Sequence, residues 1–190
     1  MRYSTITLTM LLLWSIESNA ASEEHRQMGT HEHGTAQINV AVEGNTLSID
    51  LELPAMNVVG FEHPAGNDQE RDQIMQADRL LRDGADLFKP TPKARCTLSA
   101  ARVESVLLDN SLNSDESANS DESAPEDGEQ HADFDVSYEF HCSEPKQLRA
   151  MSFTLFQHFP GLHKLRTQVS TPSGQSGAEL SDTDKLIGLQ

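Results

Sequence analysis

Three stretches of this chain alternate apolar and polar residues almost without interruption, and they limit the possible folds more than any other feature. They cover residues 35–42, 47–53 and 132–142. Side chains two residues apart project from the same face of a β-strand, so each stretch predicts a strand with one buried and one exposed face. Gly44 and Asn45 separate the first two stretches and supply the positive φ angles of a tight hairpin turn. Antiparallel strands are therefore the expected framework.

The rest of the chain predicts one helix and further short strands. Asp68 is a suitable N-cap for a helix over residues 69–83, in which apolar residues recur along one face, and Gly84 is a typical stop. Residues 159–161, Phe-Pro-Gly, have the composition of a tight turn. Further strands are expected near residues 94–99, 102–109, 150–157 and 163–170, with one or two edge strands in the tail, 174–190. The expected fold class is α+β, mostly antiparallel β in a sheet or sandwich, with one packed helix.

The first twenty residues have the composition of a secretory signal peptide. Arg2 precedes a short, largely apolar run over residues 8–14, and Ser18-Asn19-Ala20 ends in the small-x-small pattern that signal peptidase recognises. Cleavage after Ala20, or one residue later, leaves a single domain over residues 21–190 that is long enough to bury a core. No second apolar run approaches the length of a membrane span, so we expect a soluble, exported protein without membrane insertion.

Charge restricts the partners of this chain. The formal net charge is −16, which argues against nucleic acid and anionic lipid surfaces, because both repel a polyanion. Part of the charge lies in residues 113–124, where the hexapeptide Asn-Ser-Asp-Glu-Ser-Ala occurs twice in succession. So few apolar side chains cannot offset chain entropy, and residues 110–130 are therefore expected to form a mobile acidic insert. The insert either gathers hard cations weakly or serves as a solubilising linker, which we prefer because it lacks the pattern of a calcium-binding loop.

Catalytic motifs are missing from the sequence. It contains no Gly-x-Ser-x-Gly elbow, no His-Glu-x-x-His pair and no glycine-rich phosphate loop. We therefore expect a protein that is not an enzyme.

The two cysteines, Cys96 and Cys142, have two interpretations. In an oxidising compartment such a pair is most simply a disulfide, and the signal peptide favours this interpretation. The alternative is a pair of thiolate ligands for zinc.

Histidine carries the strongest chemical signal. His31 and His33 stand directly before the first alternating stretch, and a strand that continued through them would place both imidazoles on one face. Two neighbouring imidazoles are half of a zinc site, because neutral imidazole is a nitrogen donor that zinc accepts readily. His131 and Asp133 lie on the polar side of the last alternating stretch. If the two strands pair, three nitrogens and one oxygen could meet at one zinc ion.

The loop after the second stretch offers two more candidate ligands, Glu62 and His63. Their alternative role is to close the loop by hydrogen bonding. A His-x-His pair at a strand end is also compatible with plain solvated surface. The remaining histidines of the ordered part are expected to be packing or surface residues: His141, His158 and His163.

Five groups of residues, in this order along the chain, resemble the ZrgA-like periplasmic zinc-binding proteins. They are His31–Ala36, Val58–His63, His131–Phe134, Tyr138–Cys142 and Leu155–Gly161. The resemblance implies a Gram-negative periplasmic protein, induced under zinc scarcity, that binds Zn²⁺ and assists its uptake as a buffer or shuttle. Its implied partner is a zinc importer of the ATP-binding-cassette type or the solute-binding protein of that importer.

One departure from the family changes the expected ligands. Members commonly carry a histidine-rich stretch where this chain has the acidic hexapeptide repeat, so zinc is expected on the histidines of the folded domain. Imidazole also suits copper and nickel, which leaves the metal open on chemical grounds. The competing hypothesis is an envelope interaction module whose acidic insert docks a basic partner while the histidines are incidental.

Overall fold

A computed structural model describes residues 32–112 and 132–190 of the chain. The predicted signal peptide, His31, His131 and residues 113–130 of the predicted acidic insert lie outside the described residues. The strands are β1 (Thr35–Glu43), β2 (Thr46–Pro54), β3 (Phe88–Pro90), β4 (Cys96–Glu104), β5 (Asp133–Cys142), β6 (Ala150–Phe153), β7 (Lys164–Thr171), β8 (Gly174–Leu180) and β9 (Leu186–Gly188). The helices are α1 (Ala55–Val58), α2 (Asp68–Arg82), α3 (Gly84–Leu87), α4 (Val106–Leu112) and α5 (Leu155–His158).

The strands form two sheets of unequal size. The larger sheet has six strands in the order β4-β5-β2-β1-β7-β8, and the smaller has three in the order β3-β6-β9. All neighbours are antiparallel except β1 and β7, which are parallel. The prediction of a mostly antiparallel α+β fold is confirmed, and so are the tail strands, β8 and β9, each at the edge of its sheet.

The core lies on one side of the six-stranded sheet. The inward residues of the alternating stretches are buried, as the pattern predicts, and their outward neighbours are mostly exposed. Ile74 and Leu81 of α2 are fully buried in the same core. Phe88 connects the two sheets, because its ring meets Tyr138 of β5 at 4.9 Å and Phe153 of β6 at 5.8 Å, both edge to face. Apolar burial between the sheets and α2 therefore holds the domain together.

The ends of α2 differ from the prediction in their chemistry. Asn67, rather than Asp68, is the N-cap, because its side-chain oxygen accepts a hydrogen bond from the Glu70 N–H at 2.9 Å. Gly84 begins α3 instead of simply ending α2. A Cβ at Gly84 would lie 2.4 Å from the ring of Tyr138, so close packing requires this glycine.

The Tyr138 hydroxyl donates to the Leu81 carbonyl at 2.6 Å, and burial raises the pKa of this phenol.

Two predicted strands are partly wrong. Residues 102–109 are not a separate strand, because β4 runs through a bulge to Glu104 and α4 follows. Ser105 accounts for this helix, since its hydroxyl accepts from the Leu107 N–H at 3.3 Å in the manner of an N-cap. The strand predicted near 150–157 ends at Phe153 and continues as α5.

Two local predictions also need correction. Gly44 has the expected positive φ, +59°, but Asn45 does not, because one left-handed residue is enough to reverse the chain here. In the described part of the chain, Arg95 is the one non-glycine residue with a positive φ. Residues 110–112, assigned to the acidic insert, complete α4.

Cys96 and Cys142 form the predicted disulfide. They are directly opposite each other on β4 and β5, with an S–S distance of 2.04 Å. The bridge ties the edge strand β4 to the interior of the sheet, so these sulfurs are not zinc ligands in this structure.

No helix within residues 32–112 and 132–190 is both long and apolar enough to cross a membrane.

Candidate metal centre

One end of the six-stranded sheet gathers the segments that carry the predicted ligands. β1, β5 and β7 run in one direction and β2 in the other, so the starts of the first three strands lie at the same end as the end of β2. The pairings of Thr35 with Lys164 and of Pro54 with Asp133 mark this end. We call it the histidine end of the sheet, because most of the predicted ligands precede or follow these strand termini in sequence.

The residues before β1 form a turn, not a strand. The Thr35 N–H donates to the Glu32 carbonyl at 2.9 Å, and Gly34 has a φ of +82°, as residue i+2 of a type II turn requires. The prediction that β1 continues through His33 is therefore wrong. Gly34 interrupts the strand geometry between His33 and Thr35, and His31, the other member of the predicted pair, lies outside the described residues. His33 is exposed on this turn.

Asn57 holds the turn from inside the protein. Its side-chain oxygen accepts from the Gly34 N–H at 2.7 Å, and its side-chain nitrogen donates to the Thr35 carbonyl at 2.9 Å. Only 3% of Asn57 is exposed, so both hydrogen bonds are shielded from water. A buried, satisfied amide of this kind fixes the backbone that carries His33.

The segment before β7 holds the same turn from the other side. The Gly34 carbonyl accepts from the N–H groups of His163 and Lys164, at 2.8 and 2.9 Å. The His163 ring packs against Gly34, where a Cβ would lie 3.0 Å from Cδ2 of that ring. His163 was expected to be a packing or surface residue, yet the structure brings it to the turn of His33. The parallel pairing of β1 with β7 causes this, and no local sequence pattern indicates that pairing.

Gly161 is required by the same arrangement. It is the last residue of the predicted turn over residues 159–161, which the Leu162 N–H closes by donating to the Phe159 carbonyl at 3.0 Å. A Cβ at Gly161 would lie 2.9 Å from the backbone oxygen of Asn57, a contact that the buried loop cannot easily relieve.

The variant Gly161→Ala is expected to lower the free energy of unfolding by about 1–3 kcal/mol, because the added methyl group overpacks a close backbone contact. Urea unfolding followed by circular dichroism measures the change. Gly188→Ala is the matched control, since a Cβ at Gly188 meets nothing within 4 Å. Equal stability of the two variants would contradict the prediction.

His63 lies in the loop that follows α1. Its ring stacks on Phe61 with the ring centroids 4.9 Å apart, and its Nδ1 is 2.9 Å from the Pro64 carbonyl oxygen. A carbonyl oxygen only accepts, so Nδ1 of a neutral His63 carries the proton and Nε2 keeps a lone pair. Such a hydrogen bond orients an imidazole for metal binding through its other nitrogen. The ring is exposed.

Two carboxylates belong to the loop and helix start around His63, those of Glu62 and Glu70. Glu62 precedes His63 and is half-buried. Glu70, at the start of α2, accepts from the Gly66 N–H at 2.7 Å. That hydrogen bond lowers the pKa of the Glu70 carboxyl below its ordinary value, and Asn67 and the charge of His63 act in the same direction. Negative charge at this loop favours a bound cation.

Asp133 begins β5 at the histidine end and is half-buried. The carbonyl of the preceding Ala132 accepts from the Ala55 N–H at 2.8 Å, which anchors the start of β5 to α1. The strand pairing on which the predicted meeting of these ligands depended does not occur, because β2 lies between β1 and β5. β1 and β5 are therefore two strand positions apart in the sheet, a distance of roughly 10 Å.

The described ligands do not form a complete centre by themselves. Within residues 32–112 and 132–190, no three His, Cys, Asp or Glu side chains lie close enough together to hold a metal ion. The predicted ligands in these ranges are His33, Glu62, His63 and Asp133. A centre with three or more protein ligands at this end would therefore include a residue outside the described ranges.

Comparison with known proteins defines the class. Residues 30–189 match the model of a family of zinc uptake proteins, described as the ZrgA family zinc uptake protein. This match covers most of the chain, so the protein belongs to the ZrgA family and the resemblance noted in its sequence is confirmed. A role in zinc uptake follows from this membership. A comparison with curated proteins gives no match.

Proposed function

We propose that this protein binds zinc in the periplasm and acts as a buffer or shuttle for a high-affinity zinc importer. The proposed recipient is an importer of the ATP-binding-cassette type or its solute-binding protein, and the role involves no catalysis. The observation that carries the proposal is the common position of the ligand-bearing segments at the histidine end of the sheet, in a chain of a zinc uptake family.

The proposed ligands combine nitrogen and oxygen donors. His31, His33, His63 and His131 would supply imidazole nitrogens, and either Asp133 or Glu62 would supply an oxygen. Support comes from the fixed turn beneath His33, from the orientation of His63 by the Pro64 carbonyl and from the position of Asp133 at the start of β5. His31 and His131 are the candidates that would complete the centre.

The surroundings suit a cargo that must be released. His33 and His63 are exposed, so an ion held there would remain accessible to a receiving protein. The net charge of −16 raises the local concentration of divalent cations around the domain. Imidazole must be neutral to bind, which makes the affinity depend on pH.

Zinc titration calorimetry on the mature protein tests the proposal. We expect heat of binding at neutral pH, its loss below about pH 6 as the imidazoles become protonated, and its loss in the double variant His31→Ala/His33→Ala. His141→Ala is the matched control, because His141 lies at the opposite end of β5 beside Asn45. An absence of zinc heat, or unchanged heat in the double variant, would refute the proposal.

A further inference from the structure

We infer that His163 is a further zinc ligand that acts together with His33. The inference rests on the proposed zinc binding and adds a residue to the same site. Both residues are within the described part of the chain, and they are 130 positions apart in sequence.

The backbone brings the two residues to one place. β1 and β7 are adjacent parallel strands in which Thr35 pairs with Lys164. His163 stands directly before Lys164, and His33 stands two residues before Thr35. Because the Gly34 carbonyl accepts from both His163 and Lys164, the two segments approach to hydrogen-bond distance beyond the last strand pair.

The side chain of His163 is directed at the same turn. Its Cδ2 lies 3.0 Å from the position that a Cβ of Gly34 would occupy. In imidazole, Cδ2 is bonded to Nε2, so this nitrogen lies near the residue that follows His33. Consecutive Cα atoms are about 3.8 Å apart, so the Cα of His33 lies one residue from this contact, a distance that an imidazole side chain can span.

Packing alone does not account for His163. The core beside it is filled by Phe159 and Leu162, which are 2% and 3% exposed, whereas His163 itself is exposed. An exposed imidazole held against a turn loses little solvation when it binds an ion, and it leaves coordination positions for other ligands.

The neighbouring cations are neutralised. The Arg166 guanidinium contacts Glu32, and the Lys164 ammonium is 3.4 Å from Glu179. The field of these two positive charges on an ion held by His33 and His163 is therefore largely cancelled.

The test is zinc calorimetry on the mature protein with single and double variants. His163→Phe keeps a ring against Gly34 but removes both nitrogens, and His33→Ala removes the partner. We expect each to lower the zinc affinity by about tenfold or more, and the double variant to lose less than the product of the two single losses, because the residues share one ion. His158→Ala, an exposed histidine of α5, is the matched control and should leave the affinity unchanged.

The outcomes separate this inference from the proposed function. If the protein binds no zinc, both fail. If zinc binds and His33→Ala weakens binding while His163→Phe behaves like His158→Ala, the role of His163 is refuted and the proposed function stands. Thermal unfolding of each metal-free variant is measured in parallel. If His163→Phe does not fold, His163→Gln, which keeps a polar side chain at this exposed position, decides by the same criterion.

Discussion

Replacing Asn57 with alanine is expected to lower the free energy of unfolding by about 2–4 kcal/mol. The change leaves the buried Gly34 N–H without its acceptor and removes the donor to the Thr35 carbonyl. Each buried group that loses its partner costs about 1–3 kcal/mol, so the loss of both hydrogen bonds is a large destabilisation for the substitution of one buried side chain. Urea unfolding measures this change.

The same variant should also weaken zinc binding by roughly tenfold, as the loss of groups that orient metal ligands commonly does. The reason is that Asn57 fixes the turn that carries His33. Asn39→Ala is the matched control, because Asn39 is exposed on the outer face of β1. A stability loss below about 0.5 kcal/mol would contradict the role assigned to these hydrogen bonds.

Replacing Cys96 and Cys142 together with serine is expected to lower the free energy of unfolding by about 4 kcal/mol. The bridge closes a loop of 46 positions, and its loss returns that conformational entropy to the unfolded chain. Guanidinium unfolding of the oxidised protein and of the variant measures the difference. Reduction of the wild-type protein with a dithiol should reproduce the effect of the two substitutions.

Zinc affinity provides the internal control for the cysteine variant. The disulfide lies at the end of β5 opposite to Asp133, roughly 30 Å away along ten residues of strand. Under conditions in which the variant is folded, its zinc affinity should therefore equal that of the wild type. A loss of zinc binding on removal of the cysteines would show that the sulfurs, and not the histidine end, are coupled to the metal.

The elements that could be predicted are those with a local signal. The alternating stretches became β1, β2 and β5, since the period of two directly reports a buried and an exposed face. Elements with a weak or mixed sequence pattern, such as α4 and α5, were not predicted. Ser105 caps α4 within a segment whose composition predicts a strand, and α5 begins inside an apolar run that also predicts a strand.

The candidate site was predictable only in part. Histidine spacing identified His33 as a candidate, the position of His63 beside Glu62 in a loop identified His63, and the family match supports the expected metal. The prediction that the first strand continues through His33 was wrong, because Gly34 takes a left-handed conformation in a turn. His163 could not be found from spacing, because its proximity to Gly34 depends on a parallel strand pair between residues far apart in the chain.

The sequence by itself determined the α+β class, the main strands, the disulfide partners and the metal-binding residue types, because each depends on local periodicity, on the number of cysteines or on the chemistry of one side chain. Only the tertiary structure decided the strand order β5-β2-β1-β7 and therefore which loops share one end of the sheet. Strand order follows from long-range pairing and core packing. Both depend on contacts between residues that are distant in the chain, and such contacts produce no periodic pattern in the sequence.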